Sequence, residues 1–380
     1  IRRLDRPVQQ ATVRPRSAGI EAEIRNGEVL IRLDQPRKLC VECDDDLEHV
    51  LLLFANEPET AVPPRDDPNV VWFEAGVHNV GKFYPLAPGK TYYLAAGSFV
   101  RGSFAGGGDG TRVIGRGVLT GADYAWPGHL QEKSAERVDL VRLAGDGVEI
   151  AGVTLVDSPY YVVVIKGREA RIRDVKIMAW HYNTDGISAG PGARIDDCFL
   201  RAADDLFKPF VSDTQIQRCV LWADRAAVFQ LTWNATHDCG GSLVRDCDVI
   251  HHIPFCTERR KWTGAIFWSW HGGAAHVHDL CFEDIRIEGQ SPCLINVFLE
   301  RNPWSPQDGS WGRFSGLTFR GVRADHPFRF VSRLLGRDGE HGIDGVLFDQ
   351  LVIGGQPIDS PAAMDLEVNE FVKNLRFTPS

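Results

Sequence analysis

Three aspartates carry residue types and spacing that could do chemistry. Asp185 sits in Asn183-Thr184-Asp185-Gly186, and Asp204 and Asp205 follow nineteen residues later in Arg201-Ala-Ala-Asp-Asp-Leu-Phe-Lys208. Carboxyl groups that share a small patch resist simultaneous ionisation. At least one pKa rises, leaving a proton donor near neutral pH beside an ionised base, the equipment of acid–base catalysis. Aspartate is also a turn former that tolerates unusual backbone angles, and Asp174, Asp196, Asp197 and Asp246 read as turn residues. The central three differ, because Leu206-Phe207 follows the pair at once, and His181, Tyr182 and Asn183 flank Asp185 with groups that can hydrogen-bond a ligand.

A repeat must position these acids. An apolar-x-x-apolar-x-apolar phrase recurs as Ile114–Leu119, Ile150–Leu155, Ile172–Ile177, Ile195–Leu200, Ile216–Leu221, Val244–Val249, Phe282–Ile287, Phe319–Ala324, Phe348–Ile353 and Val372–Phe377. Successive starts are 36, 22, 23, 21, 28, 38, 37, 29 and 24 residues apart, a basic unit of about 22 lengthened by insertions. Such self-similarity is the mark of a solenoid. The phrases end in apolar alternation rich in Val, Ile and Phe, as half-buried strands do. The unit is too short for a helix beside its strands and turns, and it lacks a leucine-and-asparagine consensus. The reading is an all-β chain forming a right-handed parallel β-helix of about ten or more coils.

Stacked coils place equivalent residues about 4.8 Å apart. Aligning Asp185-Gly-Ile-Ser188, Asp205-Leu-Phe-Lys208, Ala227-Val-Phe-Gln230 and Ala265-Ile-Phe-Trp268 sets Asp185 beside Asp205, with Asp204 next to both. In this register Phe207, Phe229 and Phe267 form an internal stack, and Val175, Cys198, Cys219 and Cys247 form a buried column of small apolar side chains. The nine cysteines thus serve packing; a disulfide between neighbours is possible but not required. Cys40 and Cys43 make a lone C-x-x-C in a strand-like stretch, weak grounds for a metal or redox role.

Glu21–Leu33 reads as two strands around Asn26-Gly27, a strong hairpin signal. Residues 1–66 are expected to form a small β-sandwich-like domain, with Pro63–Pro68 as linker, and residues 67–380 the β-helix. The glycine-rich Ala105–Gly110 lacks the Lys-Ser/Thr of a phosphate loop and reads as a turn between coils. Insertions at Asp248–Lys261 and Leu299–Gly312 lengthen turns beside the acids and can wall off one end of a groove. His251 and His252 lie in the first of these; adjacent side chains on an extended segment point apart, so one is assigned to loop and one to core. Trp233, Trp268 and Trp270, on coils just after the acids, are candidates for a sugar platform.

At 43% hydrophobic and 24% charged, the 380-residue chain can bury a substantial core. A net charge of −9 offers no basic footprint for nucleic acid, and no apolar run approaches the roughly 18 residues of a membrane span. The sequence opens at Ile1 with neither an initiating Met nor a signal peptide, consistent with a trimmed or processed chain and leaving secreted and cytoplasmic locations both open.

The Asn-Thr-Asp-Gly phrase, the Asp-Asp pair followed by Lys208, and the repeat resemble the polygalacturonase-like superfamily of glycoside hydrolases. The nineteen-residue interval resembles its dextranase and isopullulanase family more than the polygalacturonases themselves. The stretches Pro36–Glu42 and Leu52–Pro58 are similar to the small β-domain that precedes the solenoid in that group, as is the entry segment Phe73–His78. Two polygalacturonase features, a Gly-His-Gly phrase and an Arg-x-Lys pair that contacts the uronate, are not evident. In the corresponding turns stand Gln230-Leu-Thr-Trp233-Asn234 and Trp268-Ser-Trp270-His271, suited to a neutral sugar.

The resemblance implies an inverting hydrolase of a neutral poly- or oligosaccharide, dextran- or other α-glucan-like, with Asp204 as acid and Asp185 with Asp205 holding the water. Lys208 would keep neighbouring carboxylates ionised and contact a substrate hydroxyl, while Asn183, His181, Tyr182, Gln230, Trp233, Trp268, Trp270 and His271 are further candidate sugar contacts. No cofactor and no metal are expected. A pectin hydrolase or a polysaccharide lyase on the same scaffold, and a non-catalytic glycan-binding solenoid, are the alternatives.

Overall fold

A computed structural model describes residues 1–60, 62–128, 136–208, 210–253 and 264–379. It divides into two compact units, Ile1–Val62 and Pro63–Ser380. In the first unit, strands Ala11–Arg14, Arg37–Cys43 and Leu51–Ala55 form an antiparallel sheet. Ala22–Arg25 and Glu28–Ile31 form the expected hairpin. Asn26 and Gly27 both take positive φ, +52° and +77°, as a two-residue type I′ turn requires. Val8, Val29, Val41 and Cys43 make its core.

The second unit is a right-handed parallel β-helix. Three strand columns run along it. One contains Arg171–Arg173, Arg194–Asp196 and Gln215–Gln217, and the next contains Lys176–Met178, Phe199–Ala202 and Val220–Ala223. A third runs from Val163–Lys166 through Ile187–Ser188, a single bridge at Phe207, and Phe229–Thr232 to Ala265–Trp270 and Cys293–Phe298.

The phrases are the corners between the first two columns. In all but the first, the third residue has positive φ: Gly152, Asp174, Asp197, Arg218, Asp246, Asp284, Gly321, Gln350 and Asn374. Asp, Asn and Gly recur there because they enter the left-handed region at least cost. Asp196, by contrast, is a strand residue paired with Arg218, not a turn former.

Two phrases are out of the expected register. Ile150 pairs with Val113, not Ile114, since the Gly115-Arg116-Gly117 corner holds one residue more than its successors; the ends regain register at Leu119 and Leu155. At the carboxyl end Val372 pairs with Ile343, while Phe377 is the residue that pairs with Phe348. The later coils turn a second corner of similar sequence upstream, with Asp279, Gly316, Gly345 and Asn374 all at positive φ, and Val372–Phe377 begins at that one.

The core follows the columns. Val175, Cys198, Cys219 and Cys247 are fully buried. The last three are free thiols, each donating at 3.3 Å to the carbonyl two residues before it. Phe207, Phe229 and Phe267 stack at centroid spacings of 6.1 and 5.6 Å. Each such pair adds about 0.5–1.5 kcal/mol beyond the area it buries. His251 and His252 are both buried, correcting the split between loop and core. A register shift beside Leu221 and Trp222 brings His251 onto the Trp222 ring at 4.3 Å, while His252 contacts Ser291 and the Ala226 carbonyl. Residues 254–261 of that insertion lie outside the described residues. Among the described residues no helix is long and apolar enough to cross a membrane.

Candidate active site

The acids occupy the corner that leads into the third column, where its strands are shortest. The Ile187–Phe207–Phe229–Phe267 pairing gives the register expected from the sequence, so Asp185, Asp205, Ala227 and Ala265 are equivalent, as are Ser188, Lys208, Gln230 and Trp268. Backbone bonds tie these corners together: Gly186 N–H donates to the Asp205 carbonyl at 3.0 Å, and Leu206 N–H to that of Ala227 at 3.1 Å.

Each residue of the Asn-Thr-Asp-Gly phrase has a separate task. Asn183, at φ +59°, turns its N–H onto Asp204 Oδ2 at 3.0 Å. Thr184 is buried, donates to the His181 carbonyl at 2.7 Å and accepts from Ala203 N–H at 3.2 Å, stapling the two acid-bearing coils. Asp185 presents its carboxylate. Gly186 is required by space: a Cβ there would lie 2.6 Å from the Leu206 carbonyl oxygen of the next coil.

Carboxylate oxygens of Asp185, Asp204 and Asp205 lie within 4.8 Å of one another. Asp204 Oδ1 accepts from Asp205 N–H at 3.0 Å. Asp205 accepts from Ala227 N–H at 3.1 Å and from the Gln230 amide. Lys208 Nζ is 2.5 Å from Asp185 Oδ2. Three carboxylates so close could also chelate a cation, but the Lys208 ammonium already supplies a positive charge there.

Burial, then the charge of Asp185, pushes Asp204 up to about 7; hydrogen bonds from Asp205 and Asn183 and the charge of Lys208 only partly oppose this. Asp205 is raised well above the usual carboxyl range by burial, then by Asp204 and Asp185. Burial alone would lower the Lys208 pKa, but Asp185, Tyr161 and Asp205 outweigh it and the pKa is raised.

These residues line a groove of about 570 Å³ with Tyr161, Asn183, Ser188, Phe210, Ala226, Gln230, Trp233, Trp268 and Trp304. Of the sequence candidates, Asn183, Lys208, Gln230, Trp233 and Trp268 thus join the aspartates. Trp270 does not line the groove; it backs Trp233 edge-on at 6.0 Å. His271 is corrected: its ring is fully buried, its Nε2 is 2.9 Å from the Ala275 carbonyl, and burial lowers it to about 4. It follows the last residue of its strand, where the chain turns inward. His181 and Tyr182 also lie outside the lining, Tyr182 packing on Trp126 at 5.6 Å with Arg225 over its ring at 4.0 Å. The turn at Asn183 carries them off the acid column.

Five lining residues, Tyr161, Ser188, Phe210, Ala226 and Trp304, are not among the sequence candidates. Tyr161 is the equivalent of Asp185 one coil earlier, because Val163 pairs with Ile187. Its ring lies 4.9 Å from Lys208 Nζ, and the charge of Asp185, then burial, raises its phenol pKa. Extending the column back through Tyr161-Val-Val-Val164 would have found it. Trp304 comes from the Leu299–Gly312 insertion and meets Trp233 at 5.3 Å; no periodicity could place it. A larger concavity, about 760 Å³ and lined in part by His276, Trp311, Arg313 and His341, contains none of the three aspartates. The acid-bearing groove is therefore the site with a chemical rationale.

Comparison with known proteins gives no matching family model. A dextranase from Arthrobacter sp. (strain CB-8) is 25% identical over 334 residues, covering 76% of this chain and 52% of the relative. Isopullulanase from Aspergillus niger is 25% identical over 296 residues, covering 63% and 52%. The chain thus spans about half the length of these curated relatives. Among solved structures, Dex49A from Penicillium minioluteum superposes with a TM-score of 0.74 at 15% identity, over 97% of this chain and 78% of that one. A Yersinia enterocolitica exopolygalacturonase gives 0.50 at 13%, over 80% and 72%. At these identities the structural likenesses speak to fold.

Proposed function

We propose that this chain, which is similar to dextranases and isopullulanase in sequence and to a polygalacturonase in fold, uses its acid cluster to hydrolyse glycosidic bonds in a neutral poly- or oligosaccharide, an α-glucan such as dextran, with inversion. The observation that carries this reading is the set of three carboxyls from neighbouring coils, gathered in a groove whose other end is tryptophan.

Asp204 is the acid. Its pKa of about 7 keeps a large protonated fraction near neutrality, and the proton passes to the glycosidic oxygen as the bond to the anomeric carbon breaks. Asp185 is the base that orients and deprotonates the attacking water, held by Lys208. Asp205, fixed by Gln230 and Ala227, braces that water from the second side. Acids this close depart from the roughly 6.5–9.5 Å spacing usual for inversion, so the water must approach from beside the cluster. Asn183, Gln230, Trp233 and Trp268 hold the sugar.

Incubation with dextran, pullulan and a galactan, with the first-formed anomer followed by NMR, tests this. Cleavage of an α-glucan to the inverted anomer is expected. A retained anomer would remove the inverting mechanism, and an unsaturated product absorbing in the ultraviolet would replace hydrolysis with elimination.

A further inference from the structure

The groove has a chemical polarity along the solenoid axis. Its charged lining, Asp185, Asp204, Asp205 and Lys208, lies on two coils, and the later coils contribute Gln230, Trp233 and Trp268, with Trp304 beside them. From the Asp204–Asp205 coil to the Trp268 coil is two steps, from Phe207 through Phe229 to Phe267. At the ordinary strand spacing this is roughly 10 Å, longer than a single sugar ring. The far wall therefore faces a different sugar from the one being cleaved, and it faces it without charge.

Trp304 stands at the rim of that wall, 52% exposed. An aromatic ring this open on a long loop would ordinarily move. Here a knot of side chains holds the loop. Asn302 Nδ2 donates to Asn234 Oδ1 at 2.8 Å, and Asn234 Nδ2 returns a bond to Asn302 Oδ1 at 2.9 Å. Ser305 Oγ and Gly272 N–H also donate to Asn234 Oδ1, at 2.9 and 3.1 Å. Asn302 Nδ2 reaches the Trp270 carbonyl at 3.1 Å, and Asn302 Oδ1 receives Trp304 N–H at 3.0 Å. Asn302 and Ser305 are each 5% exposed. The knot fixes the backbone of Trp304, whose ring meets Trp233 at 5.3 Å with the planes 48° apart. A preformed aromatic corner spares a ligand the cost of ordering it.

We propose that Trp304 is a specificity-determining residue that stacks on a neutral pyranose remote from the cleaved bond, and that Asn302 is the positioning residue that sets it there. This rests on the hydrolase reading above and adds to it a dependence on substrate length. A uronic acid ring at this corner would bring a carboxylate to a wall whose Gln230, Trp233, Trp268 and Trp304 side chains carry no charge to pair with it.

The test uses α-1,6-linked glucose oligosaccharides of increasing length, with kcat and KM measured for the unaltered protein, Trp304→Ala, Trp304→Phe, Asn302→Ala and the Trp304→Ala/Asn302→Ala double variant. Thermal melts establish that each is folded. For Trp304→Ala, KM on the longest substrates is expected to rise about tenfold, the scale of a truncated aromatic contact, with kcat little changed and the loss shrinking as the substrate shortens. Trp304→Phe restores most of the loss, and Asn302→Ala adds nothing once Trp304 is gone. A loss equal at every length, or one in kcat alone, would overturn the proposal. Tryptophan fluorescence separates it from the reading beneath it. Quenching by long but not short oligosaccharides, lost in Trp304→Ala, without any cleavage, would sink the hydrolase reading and keep the corner. Neither quenching nor cleavage at any length would sink the corner.

Discussion

Substitution of Asp204 by Asn should remove most of the activity and, above neutral pH, make the protein more stable. The Asp204 carboxyl is raised from 3.8 to about 7. Between those values the folded state holds a proton that the unfolded state has released, so stability falls as pH rises. The sign follows directly: the favourable contribution is fully present below about 4 and gone above about 7. A shift of about 3 units at 1.36 kcal/mol each corresponds to ~4 kcal/mol, shared with Asp205 because the two titrate as neighbours. An Asn side chain never ionises and escapes this penalty. It has a cost of its own, since the two carboxylate oxygens of Asp204 accept from two backbone N–H groups. An amide supplies only one acceptor oxygen, losing one bond at about 1 kcal/mol.

Relative to the unaltered protein, Asp204→Asn should therefore be about 1 kcal/mol less stable at pH 4 and more stable at pH 8, by at most ~3 kcal/mol because the shift is shared with Asp205. Urea unfolding at the two pH values measures this, each variant compared with its parent under identical conditions so that other titrations cancel. Activity should drop by roughly 10² to 10⁴ in kcat, the share of one acid–base group, and the activity of the unaltered protein should decline above about pH 7 as the donor ionises. A stability difference independent of pH would show that Asp204 does not titrate between 4 and 7. The assignment of Asp204 as proton donor would then lose its basis.

Two further perturbations probe the frame of the site. Gly186→Ala puts a Cβ 2.6 Å from the Leu206 carbonyl oxygen, and overpacking of this kind typically costs about 1–3 kcal/mol; a melting temperature within error of the parent would show that the coils are not in tight contact there. Lys208→Met removes the cation 2.5 Å from Asp185 and leaves the carboxyls without that counter-charge, and breaking a buried pair in this way typically costs about 3–5 kcal/mol. A melting temperature within error of the parent would show that Lys208 does not hold the cluster together.

The parts legible in the sequence are those fixed by coil stacking. Asp185 and Asp205 could be paired from linear text because each lies two residues before a stacked core residue, Ile187 and Phe207, and equal offsets on successive coils become adjacency in space. The same rule extends to Tyr161 through Val163, one coil before the first acid, where no carboxylate marks the column. His271 follows a different logic. Its neighbours Trp268 and Trp270 alternate as strand residues do, but the strand ends at Trp270, and beyond that point side-chain direction depends on a turn that periodicity does not encode. The ring goes inward to the Ala275 carbonyl, and Gly312 packs so closely that a Cβ there would lie 2.2 Å from Nε2.

Trp304 marks the limit of such reading. Its place depends on Asn234 and Asn302, 68 residues apart and joined by two reciprocal hydrogen bonds between their side-chain amides. Neither residue belongs to a repeat, and a pair of amides has no signature in a single sequence. The division has a physical cause. The stacked backbone dictates where catalytic groups on the coils must lie, whereas a loop between coils is free to vary, and its position is set by a few side-chain bonds chosen one by one. In this chain the acids belong to the first class and the remote aromatic corner to the second. On the reading proposed above, substrate length and sugar preference would be set through the Leu299–Gly312 loop while the acid cluster stays fixed by the stack.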